Sequence, residues 1–291
     1  MLDLVLPKGS LEAPTLRLFE EADLAVARGG DRDLRGEIDD PRIAAVRFLR
    51  PQEIPTYVAE GLFDLGITGR DWIEETGAEV TKITELRYSK NTQRPVRIVL
   101  AVDGASAIEA PEQIPANARL STEYPEITRR YFEGLGIPVR ISLSYGATEA
   151  KVPEIVDAIV DNTETGSSLR AAGLRIVDTL LESYTELIAN PAAAADPDKR
   201  SAIDALALLL RGALDARGKV LVKLNVREDQ LAGIMNVLPS MRAPTVSHLA
   251  NGDYCAVETV VPKSEINRLI PVLKAGGAED IIEIPISKVV D

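Results

Sequence analysis

A single cysteine, Cys255, and a single histidine, His248, occur in 291 residues. One thiol cannot close an intrachain disulfide, and without a Cys/His cluster at ligand spacing a structural zinc site is excluded. Long apolar runs are missing too: hydrophobic residues make up 45% of the chain, enough for a sizeable core, yet no uninterrupted stretch approaches the ~20 residues that span a bilayer. A membrane is not an expected partner. Basic residues are in the minority, 33 against 45 acidic, for a formal charge of -12. Nucleic acid is not an expected partner either, because Lys and Arg must neutralise many phosphates on a polyanion. The opening MLDLVLPKGS carries neither a basic region ahead of an apolar core nor a small-residue cleavage site, so the expected location is cytoplasmic. Such an acidic protein can still hold a small phosphorylated molecule, by gathering a few cations and backbone N–H groups locally or by taking Mg2+ with it.

What is present is an alternation of apolar strands with helical periodicity. LDLVL reads as a buried strand with PKGS as its exit turn, followed by a helix over LEAPTLRLFEEA. AVRFL and DLGITG read as further strands, leaving through LRPQ and TGRD. Strands alternating with helices argue for a parallel or mixed α/β sheet, in which ligands bind outside the carboxyl ends of the strands. PKGS, LRPQ and TGRD all fall at such ends. From residue 94 a second α/β unit begins with PVRIVLAV, and RIVDTLLESYTELIAN near residue 175 is placed to carry the chain back to the first. Two lobes joined in this way leave a cleft, the default position for a small-molecule site.

A third piece follows the Ala/Pro/Asp stretch NPAAAADPDKR and a helix with Ile203, Leu206, Leu210 and Leu214 on one face. From residue 219 the pattern is strand, helix, strand, strand, helix, strand, with Ile266, Leu269, Ile270 and Leu273 spaced for one helical face. This is the ferredoxin-like βαββαβ order. Its size suits a small effector-binding or oligomerising module.

One segment points to chemistry. In DAIVDNTETGSSLRAAGL the glycine permits a tight turn, Thr165, Ser167 and Ser168 offer hydroxyls to an anion, and a helix start adds free N–H groups. Asp157 and Asp161, four apart on one strand, share a face. Asp161, nearest the loop, could accept hydrogen bonds from ribose hydroxyls. The plainer alternative is a capped helix start and nothing more.

LPKGSL, FLRPQEIPTYVAEG, DLGITGRDWIEE, STEYPEITRRYF, GATEAKVPEIVDAIVDNTETGSSLRAAGL, KVLVKLNV and VLPSMRAPTVSHL, in that order, resemble the ATP phosphoribosyltransferase family in its long form. The resemblance covers nearly the whole chain. It implies an α/β fold with a two-lobed periplasmic-binding-protein-like catalytic core and a C-terminal ferredoxin-like regulatory domain. On this reading lobe I spans 1–93 and 176–195, lobe II 94–175, a linker helix 196–218 and the regulatory domain 219–291. The implied activity is transfer of phosphoribosyl from phosphoribosyl pyrophosphate to N1 of ATP, releasing pyrophosphate, with Mg2+ bridging phosphates and no protein metal cage. Such a displacement needs positioning and leaving-group stabilisation more than a base, so a chain with one histidine can perform it.

Matched position by position, Thr165, Gly166, Ser167, Ser168 and Leu169 are the expected cradle of the 5'-phosphate, with Asp161 on the ribose. Lys8, Arg50 and Arg70 are the candidates for pyrophosphate or triphosphate, and Asp71, Glu123 and Tyr124 for the adenine side. Each cation alone reads more readily as a solvated surface charge, the three balancing that reading only together, at corresponding edges of one sheet; Tyr124 reads equally as a helix-start aromatic packed on its lobe. The resemblance further implies inhibition by histidine through the third domain, near SMRAPTVS and Thr245, and a homohexamer. His248 and Cys255 read as a polar strand residue and a small buried hydrophobe, and Trp72 as core or inter-lobe packing. Rival readings are a solute-binding protein, which shares the two-lobed architecture, and a catalytically silent regulator. A short-form subunit is disfavoured by residues 219–291.

Overall fold

The computed structural model describes residues 1–30, 32–88, 94–239, 243–250 and 252–290. Two compact units divide it, Met1–Leu208 and Leu209–Asp291.

The first unit opens with β1 (Leu2–Pro7) and α1 (Glu12–Glu21). Pro14 is tolerated in the first turn of α1, where an N–H would have no helical acceptor. There follow β2 (Val26–Ala27), β3 (Arg35–Ile38), β4 (Ile43–Leu49), α2 (Ile54–Ala59), β5 (Leu65–Gly69), α3 (Arg70–Thr76) and β6 (Thr81–Leu86). The chain then forms β7 (Val96–Asp103), β8 (Arg119–Thr122), α4 (Pro125–Leu135), β9 (Arg140–Leu143), β10 (Ala158–Thr163), α5 (Ser167–Ala171) and β11 (Leu174–Ser183). It closes with β12 (Thr185–Ala189), α6 (Pro191–Ala195) and α7 (Pro197–Ala216), within which the division between the units falls.

These strands make two sheets, β2-β3-β4-β1-β5-β12-β6 and β11-β7-β10-β8-β9. In the first, β1 lies parallel to both β4 and β5. Helix α2 sits so close to β5 that a Cβ on Gly66 would lie 2.8 Å from a Val58 methyl and 2.9 Å from one of Ile54. In the second, β10 is parallel to β8 and antiparallel to β7. Alternation along β10 sends Ala158 and Val160 into a core with Tyr124 and Phe132, and Ile159 into another with Leu169 and Val156. Both faces of the strand are thus covered, which explains its unbroken apolar run.

The return crossing differs from the boundary expected at residue 176. All of β11 pairs with β7, and the first sheet is rejoined only by β12, which runs antiparallel to β5 and β6. Two register irregularities in β11 break its apolar periodicity, so the pattern did not disclose which sheet it joins.

In the second unit, β13 (Lys219–Arg227), α8 (Leu231–Val237), β14 (Thr245–His248), β15 (Tyr254–Pro262), α9 (Ile266–Ala275) and β16 (Glu279–Pro285) form one sheet in the order β14-β15-β13-β16. Every pairing is antiparallel, and the order is that of the ferredoxin-like fold. Val220, Val222, Leu224 and Val226 alternate into the core against Ile266 and Leu273. Cys255 is fully buried, while His248 is exposed on the edge strand with Nδ1 3.5 Å from the Cys255 sulfur.

Candidate active site

Because β1, β4 and β5 are adjacent and parallel, the loops leaving their carboxyl ends share one edge of the sheet. Lys8, Arg50 and Arg70 each directly follow one of these strands. The Lys8 N–H donates to the Leu49 carbonyl at 2.7 Å, tying the first two loops together. Gly9 has φ +94°, and a Cβ there would lie 3.1 Å from an Arg50 guanidinium nitrogen, so PKGS needs its glycine for both conformation and space. Glu12 gathers Arg28 at 2.6 Å, Lys8 at 3.5 Å and the Gly9 N–H at 3.4 Å. Burial alone would raise this carboxyl, but those donors and cations hold it below its usual value. Arg70 lies 3.8 Å from Glu74 with both side chains exposed, a pair of little energetic weight.

Asp71 and Tyr124, both expected on the adenine side, are bonded to each other. Asp71 is 6% exposed and Tyr124 1%. The Tyr124 hydroxyl donates to Asp71 Oδ2 at 2.9 Å, and Ser183 Oγ donates to Asp71 Oδ1 at 2.7 Å. Burial raises the Asp71 carboxyl despite the hydrogen bonds from Ser183 and Tyr124 that oppose it. The carboxylate folds back over Gly69, where a Cβ would sit 2.1 Å from Asp71 Oδ1. Gly69 itself is extended, with φ -81°; the glycine of TGRD serves close approach, not a reversed turn. Trp72 stacks on Tyr124 with ring centroids 4.6 Å apart, which is the packing role expected for it.

Asp161 and Asp157 part company. Asp157 precedes β10 and is held by Arg119 at 2.8 Å at the strand's entry, so it is not a second acid beside the loop. Asp161 sits at the exit end, one of its oxygens accepting the Asn162 N–H at 2.7 Å. Burial pushes its carboxyl up to about 6; the Asn162 N–H opposes this, Glu123 and Glu149 add to it, and Lys151 opposes it. Lys151 is held by Ser144 Oγ at 2.6 Å and Ser121 Oγ at 3.1 Å. Its proximity to Asp161 was not visible in the spacing of the motif.

The loop after β10 is closed by Thr163 Oγ1, which accepts the Gly166 N–H at 2.8 Å. Gly166 has φ +72° and precedes α5 directly, and a Cβ there would crowd the Arg170 guanidinium at 2.9 Å. The Thr165 and Ser167 hydroxyls are exposed and meet at 3.0 Å. Leu169 departs from the expected cradle: at 1% exposure its side chain belongs to the core under β10, leaving only its backbone to face an anion. Thr245 begins the edge strand β14, exposed, and pairs with Glu258. Ser240, Met241 and Arg242 of SMRAPTVS lie outside the described residues.

A cavity of about 300 Å³ gathers the strand ends. Ser10 and Leu11 come from the loop after β1, Pro51 and Gln52 from that after β4, Gly69 and Asp71 from the end of β5, Glu123 and Tyr124 from that of β8, and Asn162 and Glu164 from that of β10. Tyr88 and Tyr184 add aromatic surface. An aromatic, amide and carboxyl wall suits a planar base with N–H donors better than a bare phosphate. The predicted cations and the 165–169 loop lie outside this lining. Asn162 and Glu164, which face it, were not singled out by the sequence, since only strand alternation distinguishes them from Asp161. Among the described residues no group of three or more His, Cys, Asp or Glu side chains could hold a metal ion, and no helix is long and apolar enough to cross a membrane.

Two lobes with a cavity at their strand ends and a ferredoxin-like unit define a two-lobed α/β protein with an appended small domain. Residues 50–212 match the family model described as ATP phosphoribosyltransferase, and residues 216–288 that of the HisG C-terminal domain. An ATP phosphoribosyltransferase of Desulforudis audaxviator (strain MP104C) is 48% identical over 291 residues, 99% of each chain. One of Chlorobium phaeovibrioides (strain DSM 265 / 1930) is 47% identical, covering 100% of this chain and 98% of its own. Among solved structures, the ATP phosphoribosyl transferase (HisG:HisZ) complex from Thermotoga maritima aligns with a TM-score of 0.61 at 27% identity, over 72% of this chain and 97% of that one. The chain belongs to the ATP phosphoribosyltransferase family, the pentosyltransferases of the first step of histidine biosynthesis, in the form that carries the C-terminal domain. Enzymes of this family require a divalent metal.

Proposed function

We propose that the chain transfers phosphoribosyl from the Mg2+ complex of phosphoribosyl pyrophosphate to N1 of ATP in the cytoplasm. The observation that carries the reading is the meeting of five strand ends around one cavity, with a hydroxyl-rich loop following the last of them. The Thr165 to Ser168 hydroxyls and N–H groups, with the Leu169 N–H, receive the 5'-phosphate, and Asp161 accepts the ribose hydroxyls. Lys8, Arg50 and Arg70 neutralise pyrophosphate as the glycosidic bond breaks, which is where negative charge grows. Mg2+ bound to the substrate phosphates supplies further positive charge there. Adenine occupies the aromatic cavity beside Glu123, its N1 lone pair aimed at the anomeric carbon, so that no base is needed for attack. Histidine inhibits through the ferredoxin-like unit near Thr245, and the active assembly is a homohexamer.

The test is turnover of ATP and phosphoribosyl pyrophosphate with Mg2+, followed through the N1-substituted product, with and without millimolar histidine. Turnover suppressed by histidine is the expected result. Gly166→Asp, which puts a carboxylate into the phosphate loop, is expected to abolish turnover, and wild-type rates in that variant would sink the loop assignment. A folded wild-type protein with no turnover would leave the silent-regulator reading in its place.

A further inference from the structure

The buried contact between the lobes is built from groups of four different elements. The Tyr124 hydroxyl donates to Asp71 Oδ2 at 2.9 Å and accepts from the Asn162 side-chain amide at 3.0 Å. Asp71 receives Ser183 Oγ at 2.7 Å, and its own N–H donates back to that oxygen at 3.0 Å. The hydroxyl is kept protonated, its pKa raised well above the ordinary value by burial and by the neighbouring Asp71. Tyr124, at the N-cap position of α4, makes no side-chain capping bond to its own helix. Glu75 of α3 supplies the cap, its two carboxylate oxygens accepting the Glu126 and Ile127 N–H groups at 2.9 Å each. Glu75 thereby ties α3 to the start of α4.

Tyr124 reaches the substrate loop through Asn162. On a strand, neighbouring side chains point to opposite faces. An Asn162 amide drawn to Tyr124 sends Asp161 and Thr163 to the other face, where Thr163 closes the turn on the Gly166 N–H at 2.8 Å. We propose that Tyr124 is a positioning residue of the transfer: through Asn162 it sets the end of β10, and so Asp161 and the 163–166 turn, against α3 of the other lobe. The proposal rests on the reading of Asp161 and the loop as the phosphoribosyl pyrophosphate site.

The test uses the full chain with Tyr124→Phe, Asn162→Ala and the double variant. Asn162 is exposed, so its variant keeps the test open should Tyr124→Phe not fold. Loss of this one hydrogen bond is expected to raise KM for phosphoribosyl pyrophosphate about three- to tenfold in each single variant. The double variant is expected to be no worse than the weaker single one, since both break the same link. Additive losses, an unchanged KM for phosphoribosyl pyrophosphate, or a rise confined to ATP, which would make Tyr124 a direct adenine contact, would each overturn it. Calorimetry of Mg2+–phosphoribosyl pyrophosphate on Gly166→Asp separates the two layers. Binding undiminished in that variant defeats the site reading. Binding lost there, but unaltered in Tyr124→Phe, defeats the positioning role alone.

Discussion

Asp71 and Asp161 stand at the ends of strands in different lobes, and burial raises the pKa of both. Their surroundings are otherwise opposite. Asp71 accepts two side-chain hydroxyls, one on each oxygen, and is almost fully buried. Asp161 is partly open, and its described bond comes from the neighbouring N–H of its own strand. A carboxylate whose acceptor sites are filled from within the protein fixes geometry, whereas one left short of donors is available to hydroxyls from outside.

That contrast can be broken at its stronger side first. Asp71→Ala leaves the Tyr124 and Ser183 hydroxyls without their acceptor in a buried site, a cost of about 3 kcal/mol, to be seen as a lowered thermal midpoint of the first unit. An unaltered midpoint would make the network ornamental.

Asp161→Asn separates the two acids more finely. Its raised folded-state pKa means that the native chain holds this proton after the unfolded chain has released it. Between about pH 4 and about 6 the native state binds more protons, so stability from this group falls as pH rises and stays lost above 6. Asp161→Asn is expected to stabilise at pH 7.5, by up to about 3 kcal/mol, and to change nothing at pH 4. In kinetics, kcat/KM for phosphoribosyl pyrophosphate is expected to climb through pH about 6 in the wild type and to lose that inflexion in the variant. The smallest effect belongs to Asp157→Asn. This exposed partner of Arg119 lies at the far end of the strand, and turnover within about twofold of wild type is expected, as for other surface pairs.

Much of this architecture was legible in the chain. β1, β5, β7 and β10 announced themselves as short apolar runs ended by glycine or polar turns, and the ferredoxin-like unit as alternating strands around helices with one apolar face. β3 and β6 were not legible: in RGEI only Gly36 and Ile38 are buried, alternating with two exposed charged residues, and in TKITEL every position but Leu86 is exposed or half-buried. In the candidate site, Lys8, Arg50, Arg70 and the 161–168 segment follow from position after a strand. The union of Asp71 with Tyr124 does not, because 53 residues separate them and no local periodicity links the two. Nor does the reason for Gly69, which lies in a carboxylate folding back on its own strand end.

The place of β12 between β5 and β6 has a consequence for biosynthesis. β6 pairs with β12 alone among the described strands, so when Leu86 leaves the ribosome its sheet partner does not yet exist. Every strand of the second sheet is made before residue 185, and that lobe can close while the first still waits for its seventh strand. Synthesis at ~5–20 residues per second holds β6 unpaired for several seconds or longer. The polar side chains of TKITEL, which obscured it as a strand, keep that waiting edge from recruiting another nascent chain.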